Sequence, residues 1–198
     1  MSLEHAILGF LNYEPMTGYD IKKMVDLSVS HFWPAVQSQI YRTMTRMEKD
    51  GWLTVETVPQ APRPPRKVYH LTPTGRKELF RWLNEPQPAA EVRLAWLIQV
   101  FFGGRLSDEQ IIALLEHQLS IQRQRLAGFS AIAEENAEDM ADDDPRERFF
   151  WMLTVDYGVA QAMAQAQWLQ TVISLIKNKN YRLPTLSPIN DEVSDENN

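Results

Sequence analysis

The sequence predicts a mainly α-helical protein in which two short strands interrupt the helices of the first 85 residues. Three observations carry this prediction. Apolar residues recur at helical spacing through most of the chain, and two short alternating segments flank a four-proline loop over residues 59–66. After residue 107 the helical spacing continues for about 25 residues without a break. We therefore expect a small N-terminal domain followed by a domain of long helices.

The composition excludes several classes of protein. The chain has 198 residues, of which 44% are hydrophobic and 10% aromatic, so it is not a disordered chain. It contains no cysteine, which excludes disulfides, zinc–thiolate sites and thiol nucleophiles. The absence of a long apolar run and of a secretory leader pattern predicts a cytoplasmic protein without a membrane partner.

Residues at the ends of the predicted elements set the bounds of the N-terminal helices. Pro15 ends the first helix, Thr17 is placed to cap the second, and Gly51 is a natural end for the third. Three helices, two strands with a loop between them, and a further helix are typical of a winged helix-turn-helix domain. The predicted elements are helices over 3–11, 18–28 and 36–51, strands over 52–58 and 67–71, and a helix capped by Thr72.

The third helix has one apolar stripe and one polar, cationic face. Ile40, Met44 and Met47 lie on the stripe and are expected to face the core. Arginine can donate two hydrogen bonds to guanine and glutamine can pair with adenine, so the opposite face suits DNA bases and phosphates. An ordinary solvated helix face is the alternative. The candidate DNA-contacting residues of this helix are Gln37, Ser38, Gln39, Tyr41, Arg42, Thr45, Arg46 and Lys49.

The hairpin after the third helix favours the nucleic-acid interpretation. Arg63, Arg66 and Lys67 lie at or beside its proline-stiffened tip, where little entropy is lost when they contact phosphates. Such contacts supply affinity and register without reading the sequence. A proline-rich surface loop with no role in binding DNA is the alternative.

The net charge of −6 is unevenly divided along the chain. Residues 1–85 hold 11 basic and 9 acidic residues, a net of +2, whereas residues 86–198 hold 9 and 17, a net of −8. An acidic average argues against nucleic acid as a partner, but the division places the basic residues in the predicted winged helix. The charge therefore indicates two domains with different partners.

Five segments of the first 83 residues resemble PadR-type transcriptional regulators. They occur in the family's order and cover nearly the whole N-terminal domain. One departure is Arg42, which stands where many members have a proline, and the Phe32-Trp33-Pro34 run is closer to a branch with a virulence-activator-like C-terminal helical domain. The matching segments are 7–11, 15–21, 38–42, 46–53 and 66–75.

The resemblance implies a homodimeric winged-helix regulator that binds double-stranded DNA and dimerises through its C-terminal helices. It also implies that Tyr41, which matches the family's recognition-helix tyrosine, approaches the DNA backbone. Tyr19 matches a position that packs near the second helix. Whether the protein represses or activates stays open.

The second half predicts an association domain. Ser107 and Gln110 have capping-box spacing at the start of a long helix, and Pro145 after Asp144 opens another that runs to about Lys177. Helices of this length cannot bury their apolar stripes against a winged helix alone, so a second copy of the chain is the expected partner. The predicted domains are a DNA-binding domain over 1–86, a dimerisation domain over 87–178 and a polar, mobile tail over 179–198.

Two other functions, an enzyme and a protein-binding module, are less consistent with the sequence. The four histidines are scattered and no nucleophile elbow or phosphate-binding glycine loop occurs, so we expect no enzyme, no cofactor and no metal. A winged-helix module that binds only proteins is the main alternative to DNA binding. Because members of the family bind aromatic effectors between subunits, an effector pocket is expected near Trp96, Trp151 and Trp168, although tryptophans in such positions are more often simply core.

Overall fold

The fold class predicted from the sequence is confirmed by a computed structural model of the chain. The molecule is mainly helical, with one small antiparallel sheet. Side chains are not described for residues 133–139. The structure describes residues 2–62, 65–89, 91–139 and 144–182.

The N-terminal elements occur in the predicted order, with one addition. A two-residue strand at Met16–Thr17 stands where the sequence indicated only a turn. It pairs with the second strand of the hairpin, and this long-range partner is what makes it a strand. The elements are α1 (Leu3–Tyr13), β1 (Met16–Thr17), α2 (Gly18–Leu27), α3 (Gln37–Lys49), β2 (Leu53–Val58), β3 (Arg66–Leu71) and α4 (Pro73–Leu83).

The helix ends follow the local signals in the sequence. Thr17 forms a capping box with Asp20, in which the Asp20 backbone N–H donates to the Thr17 hydroxyl and the Thr17 N–H donates to the Asp20 carboxylate. Gly51 follows α3 with φ of +74°, a conformation that favours glycine. Thr72 caps α4 by accepting from the Gly75 N–H at 3.0 Å.

The sheet has the order β1-β3-β2 and all neighbours are antiparallel. In its register Met16 faces Tyr69, and Val55 faces Tyr69 from the other side. The core lies between the helices and this sheet, and it is closed: Ile7, Leu8 and Ile40 are fully buried. The hairpin therefore projects from a packed base.

The second half forms three more helices and a short 3₁₀ turn. Ser107 caps α6 together with Gln110, as the sequence predicts, and Asp144 accepts from the Arg146 N–H at the start of α7. None of the helices in the described ranges has an apolar stretch long enough to cross a membrane. The elements are α5 (Ala95–Phe101), the 3₁₀ turn (Gly103–Arg105), α6 (Asp108–Asp139) and α7 (Pro145–Lys177).

The chain folds into two compact units that interleave along the sequence. The first comprises residues 1–93 and 129–158, and the second comprises 94–128 and 159–198, of which the structure describes residues up to 182. We call them the winged-helix unit and the helical unit. Arg63 and residues 183–198 of the predicted tail lie outside the described residues.

Residues 129–158 join the winged-helix unit through aromatic contacts. The Phe129 ring is 3% exposed and lies 5.4 Å, centroid to centroid, from the His31 ring. The Trp151 ring meets the Tyr13 ring edge-on at 6.0 Å. His31 Nε2 is also 3.2 Å from the Thr154 carbonyl oxygen. The ends of the two long helices thus pack on the domain that carries the sheet.

The helical unit has its own small core. Leu115 and Leu169 are each 1% exposed, and they pack with a cluster drawn from α6 and α7. Trp96 and Val100 cover one side of this cluster with the inner face of α5. Lys177 Nζ donates to Glu116 at 2.8 Å and links the two long helices.

Candidate nucleic-acid interface

Helix α3 presents a continuous polar arc to solvent. Its inner face is buried, with Ile40, Met44 and Met47 at 0% exposure, as the apolar stripe predicted. The opposite side carries four exposed residues, which we call the outer arc: Ser38, Arg42, Thr45 and Lys49. The amphipathic spacing of the helix therefore turns hydrogen-bonding and cationic groups outward along about three turns.

The two cations of the outer arc are available to a ligand. Among the described residues neither Arg42 nor Lys49 forms an ion pair. The Thr45 hydroxyl donates to the Tyr41 carbonyl oxygen within the helix at 3.0 Å. No acidic residue lies in the first turn of α3, so the positive end of the helix dipole at Gln37 is not neutralised there.

One flank of the outer arc is held by a tyrosine. The Tyr41 ring lies against the first residue of α2, where a Cβ placed on Gly18 would be 2.5 Å from Tyr41 Cε1. Only glycine allows this approach. Tyr41 nevertheless keeps 39% of its surface exposed, so its ring borders the arc instead of lying beneath it.

The other flank is held by an ion pair that the sequence reasoning missed. The Arg46 guanidinium pairs with the Glu4 carboxylate at the start of α1. Glu4 is only 6% exposed. A signal for it exists in the sequence, because Glu4, Leu8 and Leu11 follow i, i+4, i+7 spacing and so share the buried stripe of α1. Among the predicted contact residues that the structure describes, Arg46 is thus the one already engaged by a carboxylate within the unit.

A second buried polar group lies next to Glu4. The His5 ring stacks on Trp82, with centroids 4.5 Å apart, and its Nε2 is 3.0 Å from Glu78 Oε1. Hydrogen bonds from Arg81, assisted by His5, lower the pKa of Glu78 to about 2. The first turn of α1 is therefore tied to α4 as well as to α3.

The hairpin of β2 and β3 carries the predicted wing cations. Arg66 pairs in register with Val58 and Lys67 with Thr57, and both basic side chains are exposed. Nearer the base of the hairpin, His70 Nε2 lies 3.1 Å from Glu56 Oε2. The exposed cations thus occupy the outer end of the paired strands.

The three tryptophans proposed for an effector pocket fall in different places. Trp96 and Trp168 lie together in the helical unit, with ring centroids 6.0 Å apart. Trp151 belongs to the winged-helix unit, where it contacts Tyr13. Within the ranges described, no group of three or more histidines and carboxylates has the arrangement of a metal site.

Two known protein families together match most of the chain. The sequence profile of the transcriptional regulator PadR-like family matches residues 7–81, and that of the virulence activator alpha C-terminal domain matches residues 92–177. The chain belongs to the PadR-like family of transcriptional regulators. It is therefore a PadR-type regulator and not an enzyme.

Several relatives of this PadR-type chain have known structures. The negative transcriptional regulator PadR of Bacillus subtilis is 29% identical over 178 residues, which are 88% of this chain and 97% of the relative. Its crystal structure with operator DNA has a TM-score of 0.77, 27% identity, and coverage of 89% of this chain and 99% of that one. The same regulator with p-coumaric acid has a TM-score of 0.74 at 26% identity, with the same coverage of both chains.

The second relative is the Vibrio cholerae virulence activator AphA. It has a TM-score of 0.72 and 27% identity, and the match covers 90% of this chain and 99% of AphA. Both relatives match nearly from end to end, so the likeness extends over the winged-helix and C-terminal parts alike. The predicted branch with a virulence-activator-like C-terminal domain is thereby confirmed.

Proposed function

We propose that this PadR-type regulator binds double-stranded DNA directly through α3 and the wing. The single observation that carries the proposal is the outer arc, an exposed polar face with two cations that no described carboxylate neutralises. The basic wing lies on the same domain, and a full-length relative was crystallised with operator DNA.

Each part of the surface has a different task in this proposal. Helix α3 enters the major groove, where Arg42 is suited to donate two hydrogen bonds to a guanine, and Ser38 and Thr45 suit a base edge or a phosphate. Lys49 contacts the backbone. Arg66 and Lys67 follow the adjacent phosphates and supply affinity that does not depend on sequence. Gln37, Gln39 and Tyr41 border the arc and complete the contact surface.

We further propose that the protein acts as a homodimer on a pseudo-palindromic operator. Residues 1–86 then serve as the DNA-binding domain and residues 87–178 as the dimerisation domain. The support is the outer face of α5, where Ile98 is 62% and Phe101 80% exposed, an unusual position for large apolar side chains unless a partner covers them. A two-fold dimer presents two recognition helices about one DNA turn apart. A regulator working on such an operator acts in the cytoplasm, with the DNA.

A small aromatic effector is the proposed input. The support is a relative crystallised with p-coumaric acid, together with the adjacent rings of Trp96 and Trp168 in the helical unit. Titration of tryptophan fluorescence with hydroxycinnamic acids tests this. Saturable quenching that is reduced in Trp168→Phe supports an effector site at this pair, and quenching that is unchanged in the variant places the site elsewhere.

The central experiment selects bound fragments from a genomic library with the full-length chain. Direct binding predicts enrichment of a two-fold symmetric sequence. On that operator, Arg42→Ala should weaken binding by about 1–3 kcal/mol and relax the preference at one base position. Arg66→Ala should weaken binding to all sequences alike and flatten the salt dependence.

A matched control is available in α4. Arg76→Ala removes an exposed arginine of the same domain that lies on neither α3 nor the wing, and it should leave operator affinity unchanged. If no sequence is enriched and Arg42→Ala binds genomic DNA as the wild type does, the surface serves a protein partner and direct DNA binding is wrong.

A further inference from the structure

The ion pair between Glu4 and Arg46 separates one basic residue of α3 from the others. Arg46 is half exposed, with 53% of its side-chain surface accessible, but its guanidinium is occupied by a carboxylate whose own side chain is 8% exposed. Arg42 and Lys49 on the same helix have no such partner among the described residues. The three cations are therefore not equivalent, although the sequence pattern treats them alike.

Burial of Glu4 makes the pair difficult to exchange for a DNA phosphate. A buried carboxylate requires its charge partner, because an unpaired charge away from water is costly. If Arg46 turned to a phosphate, Glu4 would be left without compensation beside the incoming negative backbone. Glu4 thus already neutralises Arg46 before DNA binds. Because Arg46 makes no phosphate contact, it causes no release of counterions from the DNA.

Glu4 cannot move with Arg46 towards DNA, because the first turn of α1, which carries Glu4, is held in place by contacts with α4. The neighbouring His5 is 6% exposed, stacks on Trp82 at 4.5 Å and lies 3.0 Å from Glu78 Oε1. These contacts tie the first turn of α1 to α4. The Glu4–Arg46 pair therefore connects α3 to a fixed point of the domain.

The pair has a counterpart on the opposite flank of α3. Tyr41 lies against Gly18 of α2, and at 100° per residue Tyr41 and Arg46 are about 140° apart around the helix axis. The outer arc of Ser38, Arg42, Thr45 and Lys49 falls between these two anchored side chains. Rotation of α3 about its axis would break one of the two contacts.

We infer that Arg46 is a positioning residue, held by Glu4, which sets the rotation of α3 and thereby aims the outer arc at the bases. It does not itself bind DNA. This inference rests on the proposed function, since it assigns a role within the DNA-binding surface. It predicts that loss of Arg46 impairs reading of the sequence but does not remove a phosphate contact.

The test compares two matched variants of the full-length chain, Arg46→Gln and Lys49→Gln. Each is titrated against the selected operator and against a random-sequence duplex of equal length, over a range of salt concentrations. Arg46→Gln should lose at least tenfold in operator affinity, bind the random duplex within twofold of wild type, and keep the wild-type slope of log K against log salt. Lys49→Gln should weaken both duplexes and flatten the slope by about 0.9, the loss expected for one phosphate contact.

Two results overturn the inference: a slope for Arg46→Gln that is flattened as in Lys49→Gln, or operator affinity that is unchanged. A double-mutant cycle without DNA judges the pair independently. Glu4→Gln and Arg46→Gln should each raise the unfolding equilibrium constant. In the double variant, the fold-increase of that constant should be at least fivefold smaller than the product of the two single fold-increases. Additive effects would mean that the two side chains do not act together. If wild type binds no duplex, the proposed function fails, while the cycle still decides whether the pair anchors α3.

Discussion

The winged-helix unit and the helical unit differ in how completely their cores are enclosed. In the first, Ile7, Leu8 and Ile40 are fully buried between helices and a sheet that cover them from several sides. In the second, α5 packs the half-buried Trp96 against the core but leaves Ile98 and Phe101 exposed on its outer face. A core enclosed by helices and a sheet can be complete within one chain. Two long helices and a short one each bury only their inner faces, so the outer face of the short helix has no layer covering it.

The two units therefore depend on partners to different degrees. The winged-helix unit encloses a core and exposes a polar arc on α3, which suits a polar ligand, although it leaves large apolar side chains such as Leu83 and Phe149 exposed elsewhere. The helical unit exposes an apolar face, which suits a second apolar surface.

The sharpest way to test the closed core is Leu8→Ala. Leu8 is fully buried, so its truncation should cost about 2–5 kcal/mol of unfolding free energy through lost transfer energy and a residual cavity. Ile98→Ala should cost less than about 1 kcal/mol within one chain, since its side chain is already 62% exposed. Urea unfolding followed by circular dichroism, at protein concentrations low enough for the chain to be monomeric, gives both values, and equal losses would remove the contrast between the units.

The apolar face of α5 is tested by Ile98→Asp. If a second copy covers this face, a buried unpaired charge should weaken dimerisation at least 100-fold, about 3 kcal/mol. Gln99→Asp introduces the same charge at the neighbouring exposed position and serves as the control. Sedimentation equilibrium measures the dissociation constants, and a dimer unaffected by Ile98→Asp would place the interface elsewhere.

Close backbone packing in the winged-helix unit is tested by Gly75→Ala. A Cβ on Gly75 would clash with the Trp52 carbonyl oxygen, so α4 must shift away from the hairpin, at an expected cost of about 2 kcal/mol. Gly9→Ala is the matched control within a helix of the same unit, because its Cβ would meet nothing within 4 Å. It should stabilise α1 by about 0.5–1 kcal/mol. Thermal unfolding shows whether each substitution lowers or raises the stability of the protein.

The smallest expected effect concerns Glu78. Its folded-state pKa of about 2 is below the ordinary value of 4.5, so it adds stability above pH 4.5 that is lost as the pH falls towards 2. Glu78→Gln should therefore be less stable than wild type at pH 7, by about 1 kcal/mol or less. The two should converge in denaturant titrations near pH 2. A difference that persists at pH 2 would show that Glu78 contributes through packing instead of charge.

Local signals predicted most of the fold. Thr17, Gly51 and Thr72 end or begin helices in the structure as the sequence indicated, because capping involves residues no more than a few positions apart. The orientation of α3 was predictable for the same reason. Its 3.6-residue period places Met44 on the inward face and Arg42 on the outward face, although the precise rotation of the helix depends on contacts with other elements.

Long-range contacts decided what the sequence left open. Strand β1 exists because Met16 and Thr17 meet β3, more than 50 residues away, and no property of two residues predicts that pairing. The membership of residues 129–158 in the winged-helix unit likewise depends on contacts such as Phe129 with His31.

The candidate surface shows the same division. The family, the element order and the residues that α3 turns to solvent were predictable from the sequence, since each follows from patterns along a few turns of chain. The pairing of Arg46 with the buried Glu4, which leaves Arg42 and Lys49 available, depends on the packing of α1 against α3. The physical reason is that helical periodicity specifies the direction of a side chain, whereas its charge partner depends on which distant element packs beside it.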